Sequence, residues 1–232
     1  MVKTRSMHFV TLVAAFVIFS IIVASGSTFS ADDAVSRYFK SVQGSPSIDA
    51  IMIVIISLGD VTTLFLFGIV ITIIRRTRKV GMVFLIVLVV IVVAVMYTKP
   101  LVGRPAPPYR FVPVVQLPEN FSLENDSLSP IAAGLSYPSS HAALAVALAF
   151  VAGYALYRKS RWAGYVIWAF PVIVGISRLY VMQHYPTDVI GGFFFGGILS
   201  IVLSNAMKLD QPFIMSRFKG KEGEVPQDDL QR

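Results

Sequence analysis

Cysteine is absent from this 232-residue chain. Disulfides, thiolate nucleophiles and Cys-ligated metals are therefore excluded, and the redox state of its compartment leaves no mark. Histidine is scarce: His8, His141 and His184 are the whole supply of imidazole. Charge is the third shortage. Asp, Glu, Lys and Arg make up 14% of residues, against about a quarter in soluble domains. What replaces them is apolar, with 55% hydrophobic residues and a mean hydropathy of +0.71, the balance of a membrane protein. A net charge of +7 does not imply nucleic acid here, because the cations gather at the ends of apolar runs, where they orient a chain across a bilayer.

Six apolar runs stand out, at 9–28, 50–74, 81–98, 139–157, 163–178 and 186–207. Each approaches the roughly 20 residues that cross about 30 Å of hydrocarbon. Backbone polar groups in lipid must be satisfied within the segment, which makes these runs helices, and no alternating pattern suits a membrane barrel. The expected fold is all-α, an integral membrane bundle of six transmembrane helices. Residues 1–207 form one membrane domain and 208–232 a cytoplasmic tail. The first run, preceded by Lys3 and Arg5 and followed by ASGS, has signal-peptide features but is long enough to be read as a retained helix. The segment 29–49, of mixed charge, suits a short interfacial helix. No internal repeat or low-complexity tract is present.

Fourteen of the twenty Lys and Arg residues fall in 1–8, 75–79, 158–162 and 208–232. The positive-inside rule then puts both termini in the cytoplasm and the alternate segments outside. Two sequons, at Asn120 and Asn125, lie in the longest outward segment, in weak agreement.

The same topology brings three clusters to the outward face. The first is KPLVGRPAP (Lys99 to Pro107), with Lys99, Arg104 and, just beyond, Arg110. The second is Ser136-Tyr137-Pro138-Ser139-Ser140-His141, at the start of the fourth span. The third runs from Ser177 and Arg178 to His184, Pro186 and Asp188. A helix start capped by Ser139 or Ser140 points free N–H groups outward and favours an anion. His141, in that first turn, can lend or take a proton near neutral pH. Asp188 is spaced to reach the His184 imidazole, fixing its tautomer and leaving the other nitrogen to attack. It is equally spaced to serve as an acidic first-turn residue. Two His and one Asp are also a zinc-like set, but Lys99, Arg104 and Arg178 repel a cation and welcome an oxyanion.

These residues resemble the type 2 phosphatidic acid phosphatases (PAP2), whose site is shared with bacterial acid phosphatases and vanadium haloperoxidases. The family pattern is Lys, six residues, Arg-Pro; then Pro-Ser-Gly-His; then Ser-Arg, five residues, His, three residues, Asp. The third part is complete from Ser177-Arg178 through His184 to Asp188. The second is Pro138-Ser139-Ser140-His141, with Ser140 in the Gly position. The first begins at Lys99, but Ala106 stands where the pattern has Arg.

The resemblance implies a metal-independent membrane lipid phosphatase without a cofactor. His184 attacks the phosphoryl group and Asp188 orients it. His141 acts as general acid and then base, while Lys99, Ser139, Ser140 and Arg178 hold the phosphoryl oxygens. Arg104, or failing it Arg110, stands in for the missing guanidinium. Family analogy favours polyprenyl pyrophosphate as substrate, with phosphatidic acid or another phospholipid monoester as the alternative and transfer to a lipid hydroxyl as a variant. Membrane lipids are the other expected partners, nucleic acid is not one, and nothing speaks to oligomeric state. A rival reading is a non-enzymatic anion-binding or transport protein, for which Asp60 inside the second span is the best support.

Overall fold

The computed structural model describes residues 4, 6–117 and 130–211. Every regular element of more than one residue pair in that part of the chain is helical: α1 (Met7–Ala24), α2 (Phe29–Ser41), α3 (Pro46–Gly59), α4 (Val61–Ile73), α5 (Arg78–Val102), α6 (Ser140–Tyr157), α7 (Arg161–Val166), α8 (Ala169–Tyr180) and α9 (Pro186–Ala206), with a 3-10 turn at Pro130–Ala132. Among the described residues, five spans are long and apolar enough to cross a bilayer: α1, α5, α6, α7 with α8, and α9. A sixth arises if α3 and α4 are taken together, although they meet at 54°.

That bend corrects the reading of 50–74 as one straight run. Asp60 lies between the two helices, and its carboxylate accepts the Thr62 N–H at 2.8 Å as the N-cap of α4. A side chain that competes for backbone donors ends one helix and starts the next. The sequence expectation for Lys99 is also revised. α5 does not stop at Thr98 but continues through Lys99 and Pro100 to Val102. Gly103 closes it at φ 68°, with its N–H on the Lys99 carbonyl at 2.8 Å. This left-handed closure suits glycine, which has no Cβ to clash. The helix expected within 29–49 is present as α2. The Asn120 and Asn125 sequons, and the tail beyond 211, lie outside the described residues.

α6 is the central post. Its residues from Ser140 to Ala149 are all buried, and Ala143, Leu144, Ala147, Leu148 and Val151 pack with Val87, Leu88 and Ile91 of α5. Alanine keeps α6 thin, and α9 meets it with glycine: a Cβ on Gly196 would stand 2.3 Å from the Ala143 carbonyl oxygen. By contrast α1 buries only Val23 and exposes Val17, Ile18 and Ile21, the apolar surface a span offers to lipid.

Over one end of the bundle α2 lies against α8 and α9. Its Lys40 ammonium donates to the Arg110 carbonyl at 2.7 Å, and its Asp33 accepts from the Tyr109 hydroxyl at 3.0 Å. Fully buried Asp49, in the first turn of α3, accepts from the Tyr180 hydroxyl at 2.5 Å and the Val114 N–H at 3.0 Å. The segment after α5 is thereby tied to α2, α3 and α8, which fixes where Arg104 stands.

Candidate active site

The three sequence clusters meet at this end of the bundle, joined pairwise by hydrogen bonds. Ser136 N–H donates to the Arg104 carbonyl at 2.8 Å, with Pro105 and Leu135 forming an antiparallel bridge beside it. Ser139 N–H donates to the Asp188 carbonyl at 3.0 Å. The Arg104 guanidinium donates to Asp188 Oδ1 at 2.7 Å. First, second and third clusters are thus linked in a closed ring of contacts.

The second cluster is built as its residue types dictate. Ser139 is the N-cap of α6, its hydroxyl accepting the Ala142 N–H at 3.4 Å. Ser140 opens the helix, with its hydroxyl 3.5 Å from His141 Nδ1. His141 is 2% exposed, and its Nε2 lies 3.9 Å from Asp60 Oδ1. The break between α3 and α4 thus delivers a carboxylate to the histidine at the start of α6.

In the third cluster the chain turns sharply between Arg178 and His184. Gln183 N–H donates to the Arg178 carbonyl at 3.2 Å, and Met182 sits at φ 61°, in the left-handed region. Arg178 and His184 are each 1% exposed. Asp188 is fully buried and plays both parts that its spacing allowed. Its Oδ2 accepts the Tyr185 N–H at 2.8 Å, reaching back to the N-cap of α9. The same oxygen lies 3.7 Å from His184 Nδ1. This is ion-pair reach, longer than a hydrogen bond.

Arg104 departs most from expectation. Read from sequence as a phosphate ligand, it has both terminal nitrogens engaged by protein. Nη1 donates to Thr187 Oγ1 at 2.6 Å and to Asp188 Oδ1 at 2.7 Å; Nη2 donates to Asp32 Oδ2 at 2.6 Å. Its Cζ sits 4.3 Å from the centre of the Tyr185 ring, a cation–π placement. Burial raises the Tyr185 phenol above its ordinary pKa, with Arg104 opposing that shift. Lys99 is 1% exposed in the last turn of α5. Arg110 offers its carbonyl to Lys40.

Asp32 is the residue that sequence reading missed. It is 1% exposed, and beyond Arg104 it accepts the Thr187 N–H at 3.1 Å and the Thr187 hydroxyl at 2.7 Å. The signal was slight: an acid in the first turn of an amphipathic segment, belonging to no motif. Among the described residues, no group of three or more His, Cys, Asp or Glu side chains is arranged to hold a metal ion.

The chain matches a known family. The PAP2 superfamily profile covers residues 77–212, more than half of the chain, and the chain belongs to that superfamily. One curated relative is the undecaprenyl-diphosphatase BcrC of Bacillus subtilis (strain 168), 32% identical over 88 residues, which are 38% of this chain and 44% of that protein. The chain therefore matches less than half the length of that relative. Among solved structures, a PAP2-type phosphatidylglycerolphosphate phosphatase from Bacillus subtilis superposes with a TM-score of 0.70 at 24% identity, covering 89% of this chain and 98% of that one. LpxE of Aquifex aeolicus superposes at 0.52 with 19% identity, covering 74% and 93%. These two establish a shared fold.

Proposed function

We propose that the chain is an integral-membrane phosphatase that hydrolyses a lipid phosphate or pyrophosphate through a phosphohistidine. The observation that carries this is the ring of contacts among the three motif segments, with His184 beside Asp188 and His141 at the capped start of α6. With Nδ1 turned to Asp188, His184 Nε2 attacks phosphorus. The N–P bond forms as the bond to the leaving oxygen breaks, and His141 protonates that oxygen. His141 then takes a proton from water, whose oxygen attacks phosphorus as the N–P bond breaks, releasing phosphate and freeing His184 Nε2. Lys99, Arg178, Ser140 and the first N–H groups of α6 cradle the phosphoryl oxygens, where charge builds in the transition state. Ser139 contributes chiefly as the cap that sets those N–H groups. Arg104 supports Asp188 and leaves the phosphate to Lys99 and Arg178.

Polyprenyl pyrophosphate is the preferred substrate, supported by the likeness to BcrC; a phospholipid phosphomonoester is the alternative. The cation asymmetry supports cytoplasmic termini, a membrane domain over 1–207 with a tail beyond it, and a site facing outward, or lumenally in an internal membrane. Asp60 lends no support to a transport reading, because it caps α4 and faces His141.

The test is phosphate release from polyprenyl pyrophosphate, polyprenyl phosphate and phosphatidic acid, by the full chain in detergent with EDTA. Wild type is expected to turn over at least one of them, and His184→Ala and His141→Ala to abolish release. Robust turnover by His184→Ala would sink the mechanism, and loss of wild-type activity with EDTA would favour a metal route.

A further inference from the structure

We propose that Asp32, outside all three motifs, is a positioning residue for His184 that acts through Arg104 and Asp188; this rests on reading His184 as the nucleophile. The geometry is a chain of alternating charge. Asp32 Oδ2 accepts from Arg104 Nη2 at 2.6 Å, Arg104 Nη1 donates to Asp188 Oδ1 at 2.7 Å, and Asp188 Oδ2 faces His184 Nδ1 at 3.7 Å. Side chains of both acids are at most 1% exposed and that of Arg104 is 8% exposed, so water screens these charges weakly.

The charge count defines what Asp32 does. Two carboxylates share one guanidinium, so the trio leaves one net negative charge beside the imidazole. When Nε2 bonds to phosphorus and Nδ1 keeps its proton, the ring becomes cationic. A net negative neighbour favours that step. Without the Asp32 charge, Arg104 and Asp188 form a neutral pair, and the developing cation faces no net negative charge. Asp32 also holds the Arg104 fork in place, so that Asp188 Oδ1 stays engaged and Oδ2 remains turned toward the Tyr185 N–H and His184.

The same residue is a mechanical anchor, since it accepts the Thr187 N–H in the first turn of α9. The experiment must separate the two roles. Asp32→Asn, Arg104→Gln, the double variant and Asp32→Glu are prepared as full chains in detergent, with His184→Ala as control. Phosphate release from phosphatidic acid and polyprenyl pyrophosphate gives kcat and KM, and alkaline quenching gives the phosphohistidine level. Asp32→Asn is expected to lose roughly tenfold in kcat with KM little changed, the signature of an interaction made in the transition state. Its phosphohistidine should form more slowly, and Asp32→Glu should recover part of the loss.

The double variant decides the matter. Removing both charges leaves Asp188 alone, restoring one net negative charge beside His184. It should therefore outperform Asp32→Asn, and also Arg104→Gln, in which two buried carboxylates face each other. A double variant no better than either single makes Asp32 an anchor only and overturns the proposal, as does wild-type kcat in Asp32→Asn. Should Asp32→Asn fail to fold, the comparison of the double variant with Arg104→Gln still decides. Activity surviving in His184→Ala would instead refute the nucleophile assignment, a distinguishable failure.

Discussion

Gly192→Ala tests how closely the site depends on the contact between α6 and α9. A Cβ at Gly192 would stand 2.5 Å from the Ser139 carbonyl oxygen and 2.9 Å from the Ala142 Cβ, where ordinary contact begins at 3.4 Å. The nearest obstacle is backbone, so no rotamer change relieves it. The helices must part by somewhat less than an ångström, at an overpacking cost of about 1–3 kcal/mol. Ser139 is the cap of α6, one residue from Ser140 and two from His141, so parting there moves His141 relative to His184. Misplacement of reacting groups by about 1 Å costs on the order of a hundredfold in rate. Gly197→Ala is the control, because a Cβ there meets only Val146 Cγ1 at 4.0 Å. Thermal unfolding in detergent, read beside phosphate release, should show Gly192→Ala destabilised with kcat down tenfold to a hundredfold, and Gly197→Ala unchanged or slightly more stable. Equal behaviour of the two variants would refute the argument that backbone contact sets the alignment.

Two further outcomes follow from single residues. Met182→Leu should be tolerated within about 1.5 kcal/mol as a volume-conserving swap. Met182→Ile should cost about 1–2 kcal/mol more by thermal unfolding, because a β-branched side chain is strained at the φ of 61°. Asp49→Ala should lower stability by about 1–3 kcal/mol, leaving the Tyr180 hydroxyl and Val114 N–H without their buried acceptor. Limited proteolysis should then find the 104–117 segment more readily cut than in wild type.

Periodicity played little part in making the spans legible; hydropathy over some twenty residues was enough, and the edges of α6 and α9 lie close to the apolar runs that foretold them. The break at Asp60 was not legible, because apolar residues continue on both sides and only the capping geometry reveals the turn. The continuation of α5 past Thr98 was not legible, since cations and prolines usually mark an exit, whereas the helix carries Lys99 inward and Pro100 rides in its last turn. His141, His184 and Asp188 could be singled out because hydroxyls, imidazoles and a carboxylate sat at helix starts. What could not be seen was pairing. Nothing local distinguishes an arginine that holds phosphate from one that holds two carboxylates, and Asp32 lies 72 residues from Arg104 along the chain.

The helix that carries Asp32 has a consequence for inheritance. The family profile begins at residue 77, and α2 ends at Ser41, so the segment that carries the sequence signature and the set of residues in contact at the site are not the same length. A chimera that grafted 77–212 onto foreign leading helices would keep His141, His184 and every motif residue, yet leave Arg104 without one of its two carboxylate partners. On the role proposed for Asp32, substitutions in those leading helices retune the reaction while leaving the family signature untouched.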